Sequence, residues 1–201
     1  MKKYAVTTCC LLLCVLLCAA SGMTDLSRDC DTLRQSVLRL HIVGASDSEA
    51  DQSAKLAVRD ALLQRFTELF DGSEDEDSAA LRAAGALAEF EQTANGVLNS
   101  LGLDYRAQAS LGEKYFPTVD YGDFTLPSGQ YEAITVRLGG AEGRNWFCIA
   151  FPPLCVSASK EREREAAAVL RSGEWKIVSK SGGYVIRLKI LEFFKRAAAR
   201  D

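Results

Sequence analysis

Histidine is nearly absent from this sequence, which has His41 as its one imidazole in 201 residues. A serine hydrolase of the common kind needs a histidine base and a G-x-S-x-G nucleophile turn, and that turn is missing. Zinc sites draw three or four ligands mainly from cysteine and histidine, so one histidine gives a metal centre little support. P-loops and G-x-G-x-x-G turns are missing as well. We therefore expect no catalytic site, no metal and no cofactor.

A basic stripe is also lacking. The chain has 24 Lys and Arg residues against 27 Asp and Glu residues, and two of the lysines, Lys2 and Lys3, lie at the extreme amino terminus. Without those two the basic residues fall to 22 and the net charge becomes −5. Proteins that bind nucleic acid usually carry clustered positive charge, so this balance argues against a nucleic-acid partner.

Long hydrophobic runs are rare, and the clearest one lies at the amino terminus. Lys2 and Lys3 precede about sixteen apolar residues, and small residues follow at 19–22, which is the layout of an export signal. We predict a signal peptide over residues 1–22. Because a membrane-spanning helix needs about 17–25 residues, an uncleaved anchor stays open. The chain is therefore expected to be secreted, with membrane contact only through this segment if it is retained.

Few cysteines remain outside this segment. Of seven in the chain, three follow it: Cys30, Cys148 and Cys155. Outside the cytoplasm such cysteines indicate a disulfide, and a bridge from Cys148 to Cys155 would pin the turn at Pro152, adding about 2–3 kcal/mol. A bridge to Cys30 is the alternative. A catalytic thiol is disfavoured, because apolar surroundings raise the pKa of a thiol and lower its reactivity.

What is present begins with a strand at the start of the folded region. Residues 36–44 place Leu38, Leu40 and Ile42 on an apolar face, opposite a mixed face that includes His41. This alternation predicts a half-buried strand.

Two helices are predicted next. Capping signals at Ser46 and Ser48 precede apolar residues at spacings of three and four, which indicates a helix of about 22 residues ending near Asp71-Gly72. A second helix is predicted over residues 78–101, where two glycines weaken the helical preference.

Period-two alternation resumes at Tyr105 and predicts an antiparallel sheet. The strands at 131–139 and 146–151 are joined by a short Gly-rich turn, so we expect them to be antiparallel neighbours. Further along, residues 159–165 should open a helix and residues 175–190 should form two more strands. These elements predict an α+β fold: a single domain over 36–201, built as an antiparallel sheet with helices packed on it, after a tether at 23–35 and the signal or anchor helix at 1–22.

The stretch "KYFPTVDYGDFTLPSG" between two strands is rich in aromatic residues. It predicts either a loop that covers a sheet edge or an exposed recognition surface. His41 is interpreted as a hydrogen-bonded strand residue, and Asp47 and Asp51 as capping carboxylates favoured by the helix dipole. If the chain acts by binding, we expect its partner surface to include these residues: His41, Asp47, Asp51, Phe116, Pro117, Tyr121, Phe124 and Trp146.

Two blocks of sequence resemble a known family. "LRLHIVGASDSEADQSAKLAVRDALL" (38–63) and "KYFPTVDYGDFTLPSGQYEAITVRLGGAEGRNWFCIAFPPLC" (114–155) are similar to the stage II sporulation protein R family of endospore-forming bacteria, and "YVIRLKILEFF" (184–194) is a weaker match. Two departures are visible: Ala45 stands where the family usually has Asn, and Phe147 where a second Trp is common.

The resemblance implies a signalling role. Proteins of this family are made in the forespore and exported into the space between the forespore and mother-cell membranes. There they trigger a membrane-embedded aspartic protease of the mother cell, which cleaves the sigma-E precursor. On this basis the chain is expected to be a signal and not itself an enzyme.

Two other classes of function stay open from the sequence. One is a secreted hydrolase acting on cell wall or peptides, since acidic residues are plentiful although nothing singles out a catalytic pair. The other is a structural module at the wall or membrane surface, which should bind peptidoglycan or lipid without any protease.

Overall fold

A computed structural model describes residues 27–70, 72–73, 75–121, 125–152 and the single positions 170, 174 and 178. The predicted signal segment 1–22, the charge run at 159–165 and the weaker family match at 184–194 lie outside the described residues. Among the helices in the described ranges, none has the length and apolar character needed to cross a bilayer.

The described ranges contain four helices and six strands in an α+β arrangement. A short helix, α1, covers residues 27–35, inside the segment predicted as a tether. The remaining elements follow in chain order: β1 (Leu38–Val43), α2 (Glu49–Leu69), α3 (Glu76–Gly85), α4 (Leu87–Ser100), β2 (Ala107–Phe116), β3 (Val119–Asp120), β4 (Thr125–Leu126), β5 (Gly129–Leu138) and β6 (Asn145–Phe151).

The main sheet is mixed, so the prediction of an antiparallel sheet was wrong. Its order is β2-β5-β1-β6. β1 pairs with β5 in parallel, whereas the β1–β6 and β2–β5 pairs are antiparallel. A parallel pair needs a long crossover connection, and here helices α2 to α4 lie in that connection. Alternating hydrophobicity identifies a strand but carries no information about the direction of its neighbour.

The prediction that the strands at 131–139 and 146–151 are neighbours was also wrong. They correspond to β5 and β6, and β1 lies between them in the sheet. β1 is therefore a central strand, and all six of its residues are buried, not only those of its apolar face. Part of the second face of the sheet is also covered. The prediction of a half-buried strand had only one face covered.

Helices α2, α3 and α4 cover one face of the sheet and enclose the larger core. This core contains Leu40 and Ile42 from β1, Ile134 and Val136 from β5, and Phe66 from α2. The predicted cap is confirmed, because the Ser48 hydroxyl accepts the Asp51 N–H at 3.1 Å.

The predicted helix over 78–101 is divided into α3 and α4 at Ala86. The backbone of Ala86 lies at φ −102° and ψ 3°, and its N–H contacts the carbonyls of both Arg82 and Ala83. Gly85, just before it, has a weak helical preference, which favours a break of the helix at this point.

A smaller core lies on the opposite face of the sheet, under α1 and the β3–β4 hairpin. Cys30 and Leu33 from α1 pack with Phe116, Leu126 and other apolar residues there. The Arg34 side chain fixes α1 to the chain before β5 by donating from Nη2 to the Ser128 carbonyl at 2.6 Å. The helix and the hairpin cover only part of this face.

Three residues of the carboxyl-terminal region are described, and two of them belong to the smaller core. Leu170 and Val178 are buried in it, and Glu174 between them is also buried. Val178 is helical, so the strand predicted at its position was wrong. The alternation of the sequence around Val178 favours a strand, but that local pattern did not decide the backbone at this position.

Candidate functional site

Where the described residues leave the second sheet face uncovered, they enclose an open cleft of about 520 Å³. Its floor is a row of side chains that cross-strand pairing places side by side: Ser110 on β2, Thr135 on β5 and His41 on β1. Lys114 and Arg137 line the cleft beside this row, and Asn145 lies at its β6 side. The α1 helix and the β3–β4 hairpin limit the cleft because they cover the neighbouring part of the same face.

His41 is a neutral imidazole in this floor. Its Nε2 lies 2.7 Å from Oδ1 of Asn145, and the Phe147 ring packs against it with centroids 4.9 Å apart. Burial lowers the pKa of His41 to about 4, and the nearby cations Lys114 and Arg137 push in the same direction. The interpretation of His41 as a hydrogen-bonded strand residue is confirmed, and its position in the cleft adds a second possible role.

The charge of the cleft is positive. Burial lowers the pKa of Lys114, and the nearby Arg137 guanidinium lowers it further. Neither cation forms an ion pair with a carboxylate of the described residues. Glu113 also lines the cleft, but the alternation of the strand directs its side chain to the helix-covered face. The cleft therefore suits a ligand with a negative group.

The covered part of this face surrounds another cation, Arg39. Its side chain is fully buried, with the guanidinium 4.1 Å from the centre of the Phe116 ring and 5.1 Å from that of Tyr131. Nη2 donates to the Tyr121 hydroxyl, and burial lowers the pKa of Arg39. Within the described ranges this buried arginine has aromatic faces and a hydroxyl beside it and forms no ion pair with a carboxylate.

The aromatic residues predicted for partner binding are dispersed by the fold. Phe116 is fully buried against Arg39, Tyr121 is half-buried on the same guanidinium, and Pro117 is exposed after β2. Trp146 packs on the helix-covered face, where the Arg59 guanidinium lies 5.4 Å from its ring. Phe124 lies outside the described residues.

Asp47 and Asp51 belong to a hydrogen-bonded turn between β1 and α2. The Asp47 carboxylate accepts the Arg144 N–H at 2.7 Å, and Asp51 accepts the hydroxyls of Ser46 and Tyr105 at 2.5 and 2.6 Å. These bonds hold the pKa of Asp51 below its ordinary value. The two carboxylates therefore have a structural role here, and their predicted contact with a partner stays a prediction.

Of the seven predicted partner-binding residues that the structure describes, His41 is the one that lines the cleft. The cations of the cleft were not predicted, although a signal was available. Arg137 falls on the mixed face of a predicted strand, and Lys114 is the first residue of the aromatic stretch. Because side chains of a strand alternate between its two faces, both cations could have been placed on the face of His41 once the strand register was known. That register depends on pairing between distant segments.

Cys155 lies outside the described residues, so its bridge to Cys148 stays a prediction. Cys148 is buried in the middle of β6, where it packs in the larger core. Cys30 is buried in the smaller core on the opposite face. In the described part of the chain, no three His, Cys, Asp or Glu side chains come together as metal ligands.

Comparisons with known proteins agree with the resemblance in the sequence. Residues 34–161, which contain the strands from β1 to β6 and the whole cleft, match the family model described as stage II sporulation protein R. The protein of that name from Bacillus subtilis (strain 168) is 33% identical over 137 residues, which are 65% of this chain and 61% of the relative's length. No solved structure matches the chain. This chain belongs to the stage II sporulation protein R family.

Proposed function

We propose that this chain is an exported signal of endospore formation. It is made in the forespore and reaches the space between the forespore and mother-cell membranes. There it activates, by contact, a membrane-embedded aspartic protease of the mother cell, and that protease cleaves the sigma-E precursor.

Family membership over residues 34–161 is the observation that carries this proposal. Membership supports a role in sporulation, and the predicted signal at residues 1–22 supports export. The match covers 61% of the curated relative's length, so the activation step and the partner remain part of the proposal.

Activation by contact requires only a difference in affinity. If the exported protein binds the active form of the protease better than the inactive form, binding shifts the population toward the active form. A preference of about 3 kcal/mol would shift that equilibrium by more than a hundredfold. No chemical group of the signal needs to take part in peptide cleavage.

A reconstitution in a non-sporulating bacterium tests the proposal. The host would express the mother-cell protease and the sigma-E precursor, with or without this chain, and precursor cleavage would be followed by blot. We expect cleavage only when the chain is present and exported. A chain lacking residues 1–22 is the matched control, because it keeps the folded region but stays in the cytoplasm.

Two results would contradict the proposal. One is an uncleaved precursor when all three proteins are present and the exported chain is folded. The other is cleavage that persists when the catalytic aspartates of the protease are replaced, since the activity would then belong to this chain and the hydrolase alternative would take its place.

A further inference from the structure

Among the strands of the described residues, β2 lies at an edge of the main sheet, and its outer side is sealed only at one end. The Ala107 N–H donates to Oδ1 of Asn95 at 2.9 Å, and the Ala109 N–H donates to Oε1 of Glu91 at 2.8 Å. Both acceptors are side chains of α4. They occupy the positions that a neighbouring strand would otherwise take.

Beyond Ala109 this sealing stops. Because main-chain groups alternate along a strand, Leu111, Glu113 and Tyr115 direct their N–H and C=O groups to the same outer side as Ala107 and Ala109. The described residues place no strand or side-chain acceptor there. Glu113 is exposed, and the Tyr115 side chain is 54% exposed.

The open part of this edge borders the cleft. Leu111, Gly112 and Lys114 belong both to the unsealed length of β2 and to the cleft lining. Gly112 has no side chain, and a Cβ placed on it would meet nothing within 4 Å. The cleft is therefore accessible from the strand edge, across Gly112, toward Lys114 and Arg137.

We propose that an extended, acidic segment of a partner protein adds to β2 along Leu111–Tyr115 and places a carboxylate in the cleft against Lys114 and Arg137. This inference rests on the proposed function, in which the chain acts by contact with another protein. In strand addition the main-chain bonds supply affinity, and the alternate side chains supply specificity.

The geometry accounts for both faces of such a strand. Every second side chain of the added segment points to the cleft side, where the facing cations are Lys114 and Arg137 and the imidazole of His41 is neutral. The other side chains point to the helix-covered side, where the exposed Tyr115 ring offers an apolar contact. A segment that alternates acidic with apolar or aromatic residues fits these two faces.

Charged residues on an edge strand also have a simpler role, since they discourage pairing between copies of a protein. The two roles differ in what they predict. A protective edge binds no extended peptide, whereas the proposed site selects acidic ones and depends on the main-chain donors of β2.

A selection of displayed peptides tests the proposal without the protease. Random peptides of about twelve residues, long enough to contain a strand, would be displayed on phage and selected on the purified chain. We expect enriched peptides in which acidic residues alternate with β-branched or aromatic ones. Binding of a labelled enriched peptide should weaken about tenfold or more in Lys114→Glu/Arg137→Glu.

Glu113→Pro tests the main-chain part of the site. Proline removes the outward N–H, which forms no bond in the β2–β5 ladder, so the sheet should be preserved while peptide binding weakens about tenfold. The matched control for the charge reversal Lys114→Glu/Arg137→Glu is Arg106→Glu, which reverses an exposed cation that does not line the cleft. It should leave peptide affinity within about twofold of the wild type. Circular dichroism and thermal melting check that each variant is folded. If Glu113→Pro does not fold, Gly112→Trp replaces it, because the indole would fill the entrance to the cleft.

The inference is overturned if no acidic sequences are enriched, or if the enriched peptides bind the folded Lys114→Glu/Arg137→Glu and Glu113→Pro variants as well as they bind the wild type. This outcome is separate from the fate of the proposed function. The selection requires no protease and no sigma-E precursor, whereas the reconstitution uses the unaltered chain and requires no knowledge of the contact surface.

Discussion

At the scale of single residues, the central strand shows two ways to bury a basic side chain. Arg39 is surrounded by the rings of Phe116 and Tyr131 and bonds to the Tyr121 hydroxyl. His41 lies two residues further along β1 and is neutral instead, because burial lowers its pKa to about 4. The sequence alone identified a mixed strand face here but did not indicate that this face would be buried.

The imidazole of His41 should make the fold sensitive to acid. Its folded pKa of about 4 lies below the ordinary value of 6.5, so between these pH values the unfolded chain binds the proton more readily. The contribution of His41 to the free energy of unfolding should therefore be complete above about pH 6.5 and fall by about 2 kcal/mol as the pH decreases to 4.5. Urea unfolding at pH 7 and pH 4.5, compared with a variant that lacks the imidazole, measures this loss.

His41→Gln isolates the contribution of the imidazole, because an amide keeps a donor for Asn145 and does not titrate in this range. The difference in unfolding free energy between the two pH values should shrink by about 2 kcal/mol in the variant. Carboxylates elsewhere change equally in both proteins and cancel. An unchanged pH dependence would show that His41 is not the acid-sensitive group.

At the scale of elements, two turns that are far apart in sequence hold each other. The turn after β1 and the turn before β6 are joined by the Gly143 N–H, which donates to the Gly44 carbonyl at 2.9 Å, and by the Glu142 N–H, which donates to the Ala45 carbonyl at 3.2 Å. The buried Lys55 ammonium adds a bond to the Arg144 carbonyl at 2.9 Å. The sequence predicted the Gly-rich turn before β6 and the helix cap after β1, but the contact between these two segments depends on β1 lying between β5 and β6.

Gly143→Ala should destabilise the protein by about 2–3 kcal/mol. A Cβ at this position would lie 2.2 Å from the Ser46 carbonyl oxygen, so the two turns would have to separate. Gly140→Ala is the matched control in the same turn, because its Cβ would meet only Glu142 at an ordinary 3.7 Å. Thermal melting of both variants distinguishes a specific clash at Gly143 from a general intolerance of alanine in this turn. Equal losses of stability in the two variants would indicate the general intolerance.

At the scale of the whole molecule, the sheet separates two cores, and the sequence predicted the elements better than their arrangement. Periodicity located β1, α2, β5 and β6 because each depends on neighbours within one element. It gave the wrong sheet because the parallel β1–β5 pair joins residues such as Leu40 and Ile134, and no local pattern carries that information. The cleft was missed for the same reason, since Lys114, Arg137 and His41 meet only when three strands are in register.

The predicted bridge between Cys148 and Cys155 also acts at this scale, because it would tie the edge strand β6 to the chain that follows it. We expect the exported protein, unfolded and alkylated, to gain two labels when it is reduced beforehand, one on each of these cysteines. Intact mass and peptide mapping measure this. Equal labelling with and without reduction would contradict the bridge, and a label gained on Cys30 would support the alternative pairing.

The central position of β1 has a consequence for how the chain is made. β1 is synthesised early, yet both strands that pair with it, β5 and β6, are the last strands that the described part of the sheet contains. Until those strands emerge, six residues suited to the interior have no sheet partner, and a nascent chain in this state is prone to aggregate or to pair wrongly. A chain interrupted before β5 cannot assemble the sheet at all, so the cleft forms only once β5 and β6 have been synthesised.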